Sequence, residues 1–80
     1  MKTSIYNELW NRACNIENET LRSAFNFSSG LSELDTIFYF LKAGLPMYYK
    51  GKYIDVHFFN SLCEKDKELL FDINKYYHQN

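Results

Sequence analysis

Two side chains in this chain could carry nucleophilic chemistry, the thiol of Cys63 and the imidazole of His57, which precedes it by six residues. A thiol becomes an effective nucleophile when an oriented base lies beside it. No G-x-S-x-G motif and no glycine-rich oxyanion loop accompanies the pair. We therefore interpret Cys63 as a core residue and His57 as a partly exposed one, and we predict no catalytic residue and no enzyme.

A zinc site is the second chemistry that the residue types allow. The side chains with suitable donors are Cys14, His57, Cys63 and His78. Zinc sites usually contain closely spaced ligand pairs such as C-x₂-C or H-x₃-H, and neither spacing occurs here. The three glycines also lack the spacing of a phosphate-binding loop. We therefore expect no metal and no cofactor, and we expect His78 to face solvent or the end of the last helix.

Closely spaced acidic residues are frequent in the chain. They are Glu17 with Glu19, Glu33 with Asp35, and Asp66 with Glu68. General acid–base chemistry would need an apolar pocket that shifts a carboxyl pKa, whereas these residues have polar neighbours. We interpret all of them as solvated charges on helix faces.

The strongest functional signal is the aromatic and basic segment Tyr48-Tyr49-Lys50-Gly51-Lys52-Tyr53. The 80-residue chain contains seven Tyr, seven Phe and one Trp, which is more ring surface than so small a protein buries. Large exposed apolar groups usually mark a contact site. The predicted partner-binding residues are Lys42, Tyr48, Tyr49, Lys50, Lys52, Tyr53 and Tyr76.

Three interpretations of this segment remain open. Rigid, amphipathic tyrosines are frequent hot-spot residues, and flanking lysines would steer an acidic protein partner. The same mixture suits single-stranded nucleic acid, because lysines follow phosphates while rings stack on bases. The tyrosines could also pack over the edge of the core, and strand geometry would turn one of Tyr48 and Tyr49 inward in any case. Of the two kinds of partner, we favour a protein.

Hydrophobic spacing predicts the helices in the first half of the chain. A long amphipathic helix from about Ser4 to Phe25 would carry an apolar stripe. That stripe is Ile5, Leu9, Ala13, Ile16 and Leu21. A second helix would begin at Ser32 as N-cap and end at Gly44, because a glycine followed by Leu45-Pro46 is a strong C-terminal stop.

The second half predicts a hairpin and further helices. Residues 46–54 contain strand-forming tyrosines around a Lys50-Gly51 turn, with Gly51 in the left-handed conformation. Residues 55–62 alternate as a strand would, but we prefer a short helix capped by Asp55. A last helix from Glu64 would bury Leu69, Leu70, Ile73 and Tyr77, and would leave Tyr76 outward.

The predicted fold is therefore mainly α (small α+β), with residues 1–80 as a single globular domain. It is a compact helical domain with a short two-stranded hairpin inserted between the second helix and the C-terminal helices. A 46% hydrophobic composition is not that of a disordered chain. The net charge of −1 gives no overall field for nucleic acid.

Targeting signals do not appear in the sequence. No basic segment followed by an apolar run begins the chain, and no apolar run is long enough to span a membrane. Cys14 and Cys63 are too few for a disulfide scaffold, and we interpret both as buried small hydrophobes. We therefore expect a cytoplasmic protein with no membrane partner.

The size of the chain resembles that of many small proteins encoded by phages and other mobile elements, which often act by occluding a host protein. This resemblance implies a non-enzymatic protein-binding module, an inhibitor or adaptor of the anti-defence or regulatory type. The alternative is a small nucleic-acid-binding regulator that uses the Tyr/Lys hairpin. The acidic residues 15–19, placed on the first helix, could face the basic hairpin of a second copy, so a homodimer is also allowed.

Overall fold

A computed structural model describes residues 2–27, 30–49 and 51–78 of the chain. Its elements are α1 (Lys2–Ala13), α2 (Glu19–Phe27), α3 (Leu31–Ala43), β1 (Met47–Tyr49), β2 (Lys52–Ile54), α4 (Val56–Asn60) and α5 (Glu64–His78). The mainly helical fold with a two-stranded antiparallel hairpin before the C-terminal helices is confirmed. No helix in the described ranges is both long and apolar enough to cross a membrane.

The predicted single helix from Ser4 to Phe25 is wrong. Helix α1 ends at Ala13 and α2 begins at Glu19, so residues 14–18 form a link between two shorter helices. The side chain of Asn18 accepts a hydrogen bond from the Leu21 amide at 3.1 Å and caps α2. The predicted acidic surface of residues 15–19 consequently lies on this link and the first residue of α2.

The hydrophobic core lies between α3 and α5 and is closed by α1 and α2. Its buried residues on α3 are Leu31, Leu34, Ile37 and Phe38, and those on α5 are Leu69, Leu70 and Ile73. Leu9, Ala13, Ile16 and Leu21 are buried as predicted, whereas Ile5 is exposed. Arg12 joins α1 to α5 through an ion pair with Asp72 at 2.9 Å. The hairpin packs mainly against α4, through strand β2.

Helix α3 begins two residues earlier than predicted and ends where predicted. Gly30 is its N-cap, so the assignment of Ser32 as N-cap is wrong, and Ser32 lies in the first turn. At the other end Gly44 adopts the left-handed conformation with φ 73°. The Gly44 and Leu45 amides donate to the carbonyls of Leu41 and Phe40. This arrangement is a Schellman motif, which satisfies carbonyls of the last turn.

The hairpin and the C-terminal helices follow the sequence pattern closely. Strand pairing aligns Met47 with Ile54, Tyr48 with Tyr53 and Tyr49 with Lys52, and Gly51 has the predicted positive φ, at 81°. Asp55 caps α4 by accepting hydrogen bonds from the amides of His57 and Phe58 at 3.0 and 3.2 Å. The preferred helical interpretation is therefore confirmed for residues 56–60, and α5 begins at Glu64.

Candidate functional site

The outer face of the hairpin carries two exposed tyrosines side by side. Tyr48 and Tyr53 are directly paired across the strands, so their side chains share one face. Their rings meet edge to face with centroids 5.1 Å apart, and 72% and 51% of the two residues remains exposed. We name this pair the outer tyrosine pair. Each ring is held by the other while most of its surface stays open to solvent.

The inner face of the hairpin packs against the hydrophobic core. Ile54 is fully buried, and Met47 and Tyr49 pack against the core as partly buried residues. The prediction that one of Tyr48 and Tyr49 turns inward is thus confirmed, and it is Tyr49. Lys52 pairs with Tyr49 on this face, and both line an open depression of about 300 Å³ beside α2. The residues of α2 and its cap at this depression are Asn18, Glu19, Thr20 and Ser23.

The predicted partner-binding residues do not all lie on the outer face of the hairpin. Lys42 lies in the last turn of α3, with its Nζ 6.0 Å from the centroid of the Phe38 ring. Tyr76 contacts Tyr6 of α1, with ring centroids 5.9 Å apart. Lys50 falls outside the described residues. The structure therefore brings Tyr48 and Tyr53 together and places Lys42 and Tyr76 on other surfaces.

The orientations of Tyr76 and Tyr77 are the reverse of those predicted. Tyr77 was expected in the core but is exposed, whereas Tyr76 is partly buried against the core. The cause is the packing of α1 on this side of α5, because Tyr6 attracts the Tyr76 ring. Rings continue from this contact to form an aromatic band across one side of the protein. Its members are Phe25, Trp10, Tyr6, Tyr76 and Tyr77.

Although 40% of Tyr77 is exposed, its phenol has a pKa raised above the ordinary value of 10.0, first because partial burial disfavours the phenolate. The negative charges that Tyr6 and Tyr76 acquire when they ionise, and the carboxylate of Asp35, raise the pKa of Tyr77 further. The folded protein therefore prefers the neutral phenol. The associated stability is complete below pH 10.0 and is lost as the pH rises through the higher folded-state pKa.

We expect the Tyr77→Phe variant to lose less stability than the wild type as the pH is raised from neutral to above 10.0. Phenylalanine keeps the ring contact with Tyr76 but has no proton to release. Urea unfolding at a series of pH values measures this difference. Parallel stability–pH curves for the two proteins would contradict the expectation.

A second exposed aromatic group lies where α3, α4 and α5 meet. Phe71 packs on Phe38 at 5.0 Å and on Phe59 at 6.0 Å between ring centroids, yet 54% of it is exposed. The Nζ of Lys67 lies 5.7 Å from the centroid of the Phe59 ring. Phe71 was not among the predicted partner-binding residues, although its position outside the buried stripe of α5 marks it in the sequence as an apolar residue on a polar face.

Asp66 is a buried carboxylate rather than the solvated charge that was predicted. Only 1% of it is exposed, and it accepts hydrogen bonds from the amides of Glu17 at 3.2 Å and Asn18 at 3.0 Å. A link between helices leaves such backbone donors without intrahelical partners. Asp66 therefore holds the link of residues 14–18 against the start of α5.

The cysteines and histidines lie on the surface. Cys14 and Cys63 are free and exposed, so the prediction that both are buried is wrong, because each lies just outside a helix end. His57 is also exposed. The Nε2 of His78 lies 3.0 Å from the Asp35 carboxylate. Within residues 2–27, 30–49 and 51–78, no group of three or more His, Cys, Asp or Glu side chains could hold a metal ion.

Comparisons of this chain with protein-family models, curated proteins and solved structures found no match. The chemistry of its surface is thus the basis for an assignment. The outer tyrosine pair can offer two rings for apolar contact and two phenol hydroxyls for hydrogen bonds. These groups suit recognition of another macromolecule.

Proposed function

We propose that this protein is a non-enzymatic protein-binding module, an inhibitor or adaptor that acts by covering a surface of its partner. The outer tyrosine pair forms the contact. The observation that supports this proposal is the exposure of Tyr48 and Tyr53, 72% and 51%, in two residues that hold each other at 5.1 Å. A partner would bury both rings together.

Burial of these rings supplies the driving force for binding. Removing an aromatic side chain from water contributes on the order of 2 kcal/mol, and tyrosine is among the residues most often found at interface hot spots. The contact between the rings of Tyr48 and Tyr53 already limits their rotamers, so less conformational entropy is lost on binding. The phenol hydroxyls require hydrogen-bonding groups at the rim of the partner's groove.

The position of Lys52 favours a protein partner over nucleic acid. Sequence-independent binding of single strands needs rings and cations along one groove. Lys52 pairs with Tyr49 on the inner face of the hairpin, opposite the outer tyrosine pair. Glu19 lines the same depression as Lys52 and brings negative charge to that side.

The proposed role, in which the protein covers a surface of its partner, is taken from its similarity in size to small proteins encoded by phages and other mobile elements. We place its action in the cytoplasm, because reducing conditions there keep thiols such as those of Cys14 and Cys63 unpaired. In this proposal the partner belongs to the host cell and loses access to its own ligand or substrate when the hairpin binds.

The Tyr48→Ala, Tyr53→Ala double variant is expected to lose its partner while its thermal unfolding midpoint stays close to that of the wild type. Both rings are mostly exposed, so their removal leaves no cavity in the core. The measurement is affinity capture from nuclease-treated lysate of the source cells, followed by titration of the retained protein. Loss of both rings should weaken binding by about a hundredfold or more.

The matched control is Tyr77→Ala, which removes an exposed tyrosine from the far end of α5 and should leave capture unchanged. A double variant that binds as tightly as the wild type would contradict the proposal. Retention of nucleic acid alone, with affinity falling steeply as salt rises, would instead favour the nucleic-acid regulator. Retention of the protein's own untagged copy alone would indicate a homodimer.

A further inference from the structure

Strand β1 forms an open edge of the hairpin. The sheet of the described residues has two strands, so each strand has one side without a strand neighbour. Among the described elements, β1 packs mainly on β2, whereas β2 also packs on α4 and contains the fully buried Ile54. Tyr48, at the centre of β1, is 72% exposed. The free side of β1 is therefore the more accessible edge of the hairpin.

The pairing register turns the backbone of Tyr48 toward this edge. Two residues separate the strands, and Tyr49 pairs with Lys52 directly beside that turn. This pair is the hydrogen-bonded one, and the next pair is not, because the two kinds of pair alternate along an antiparallel ladder. The next pair is Tyr48 with Tyr53. The amide and the carbonyl of Tyr48 therefore point away from β2, and neither has a hydrogen-bond partner among the described residues.

Strand β1 lacks the features that usually protect an edge strand. Natural edges are blunted by a lysine or another charge, by a bulge, or by a covering element. β1 consists of Met47, Tyr48 and Tyr49, without a charge, and its pairing with β2 is regular. β2, by contrast, carries Lys52. The short length of β1 and the proline before it, Pro46, limit any added pairing to a few residues, so we expect a weak association.

We infer that β1 is a self-association edge, at which it pairs antiparallel with β1 of a second copy. The two-fold axis passes beside Tyr48, so that the amide of each Tyr48 donates to the carbonyl of the other. The backbone at this edge favours such an occupant, because one residue supplies both the donor and the acceptor that its symmetry mate requires. Charge does not oppose the contact, since β1 is uncharged and the net charge of each chain is only −1.

The side chains on both faces of β1 fit this arrangement. On the outer face the Tyr48 rings of the two copies become neighbours, and the two outer tyrosine pairs join into a row of four rings, which aromatic cross-strand contacts stabilise. On the inner face Met47 of each copy lies beside Tyr49 of the other, and sulfur–aromatic contacts are favourable. The outer face stays open to a further partner, so the inference does not rest on the proposed function.

Sedimentation of the purified chain at a series of concentrations tests for the dimer, and amide hydrogen exchange locates it. We expect a reversible monomer–dimer equilibrium in which exchange at Tyr48 slows about fivefold when roughly four-fifths of the chains are dimeric. The Tyr53 amide, which points out of the other edge, is the internal control and should not change. A monomer at millimolar concentration would overturn the inference and leave the edge to a strand of another protein. Exchange at Tyr48 that ignores concentration, or that changes equally at Tyr53, would also overturn it.

Variants at the two edges give a second test. Tyr48→Pro removes the outward amide but keeps the hydrogen bonds to β2, because an edge strand accepts proline where its N–H faces solvent. It should weaken dimerisation by at least about tenfold, since two hydrogen bonds are lost in each dimer. Tyr48→Val keeps the N–H and a strand-forming side chain and should weaken it less, whereas Tyr53→Pro should sediment as the wild type does.

Circular dichroism shows whether each variant is folded, and the exchange experiment needs no variant. A folded Tyr48→Pro protein that dimerises like the wild type, or an equal loss in Tyr53→Pro, would overturn the inference. Both tests use the purified chain alone. Failure of the Tyr48→Ala, Tyr53→Ala double variant to affect capture of a partner would therefore count against the proposed function and leave the dimer untouched.

Discussion

The Asp66→Asn variant should unfold with a free energy about 3 kcal/mol lower than that of the wild type. The wild-type carboxylate accepts from two backbone amides, Glu17 at 3.2 Å and Asn18 at 3.0 Å. Asparagine has nearly the same shape but offers one oxygen and one NH₂ group, so an N–H donor would face another donor. Because Asp66 is only 1% exposed, water cannot easily replace the lost acceptor.

Such a loss is a large part of the stability available to a chain of 80 residues, for which about 4 to 12 kcal/mol is typical. The unfolding midpoint should fall by roughly 12 to 24 °C. Urea unfolding followed by circular dichroism measures the difference. The control is Glu68→Gln, which makes a similar acid-to-amide change on the exposed face of α5 and should alter stability by less than about 0.5 kcal/mol. Equal losses in the two variants would show that the Asp66 contacts do not stabilise the fold.

The Gly30→Ala variant is the second change for which we expect a large effect, a loss of about 3 kcal/mol. Gly30 has φ 69° and ψ −128°, a conformation that residues with a Cβ strongly disfavour. An added Cβ would also lie 2.7 Å from Cζ3 of Trp10. That ring packs edge to face on Phe25, with centroids 4.6 Å apart, so although 40% of Trp10 is exposed, moving the ring away from the added Cβ would disturb this contact.

Gly44→Ala is a well-matched control, because Gly44 also has a positive φ, 73°, but has no atom within 4 Å of the added Cβ. It should lose only about 1 kcal/mol, the cost of the left-handed conformation. Trp10 is the only tryptophan in the chain, so its emission reports directly on displacement of the ring. In a protein that already carries Trp10→Ala, the Gly30→Ala change should cost less stability, because the clash with the ring is absent. Equal losses at Gly30 and Gly44, with unchanged emission, would contradict this account.

Features governed by neighbouring residues could be predicted from the sequence. Gly44 followed by Leu45-Pro46 correctly predicted the end of α3. Asp55 predicted the start of α4, and Gly51 predicted the hairpin turn. Each signal acts through hydrogen bonds or backbone preferences within a few residues. The mainly helical fold class follows from these local signals.

Features governed by distant residues could not be predicted in this way. The break between α1 and α2 has a local signal in the Asn18 cap of α2, but the link is also held by Asp66, which is 48 residues beyond Asn18. The helical spacing of Ala13 and Ile16 continues through the break, because both side chains reach the core. The predicted orientations of Tyr76 and Tyr77 were reversed for the same reason, since the contact of Tyr76 with Tyr6 joins opposite ends of the chain.

The candidate site shows the same division. Alternation along a strand predicted that one of Tyr48 and Tyr49 would turn inward, but the choice between them depended on which side of the hairpin met the core. The pairing register places Lys52 on the same face of the hairpin as Tyr49, although Lys52 itself is exposed. Phe71 itself stands out in the sequence as an apolar residue on the polar face of α5, but its contacts with Phe38 and Phe59 require three elements to meet and could not be predicted locally.

The contact made by Asp66 also has a consequence for the order of events during synthesis. The amides of residues 17 and 18 emerge long before the carboxylate that they bind, since 48 residues separate Asn18 from Asp66. At about 5 to 20 residues per second, the delay is roughly 2 to 10 s. During that interval nothing from α5 can hold the link. The nascent N-terminal helices would therefore remain an open substrate for chaperones and proteases until the ribosome had made the first turn of α5.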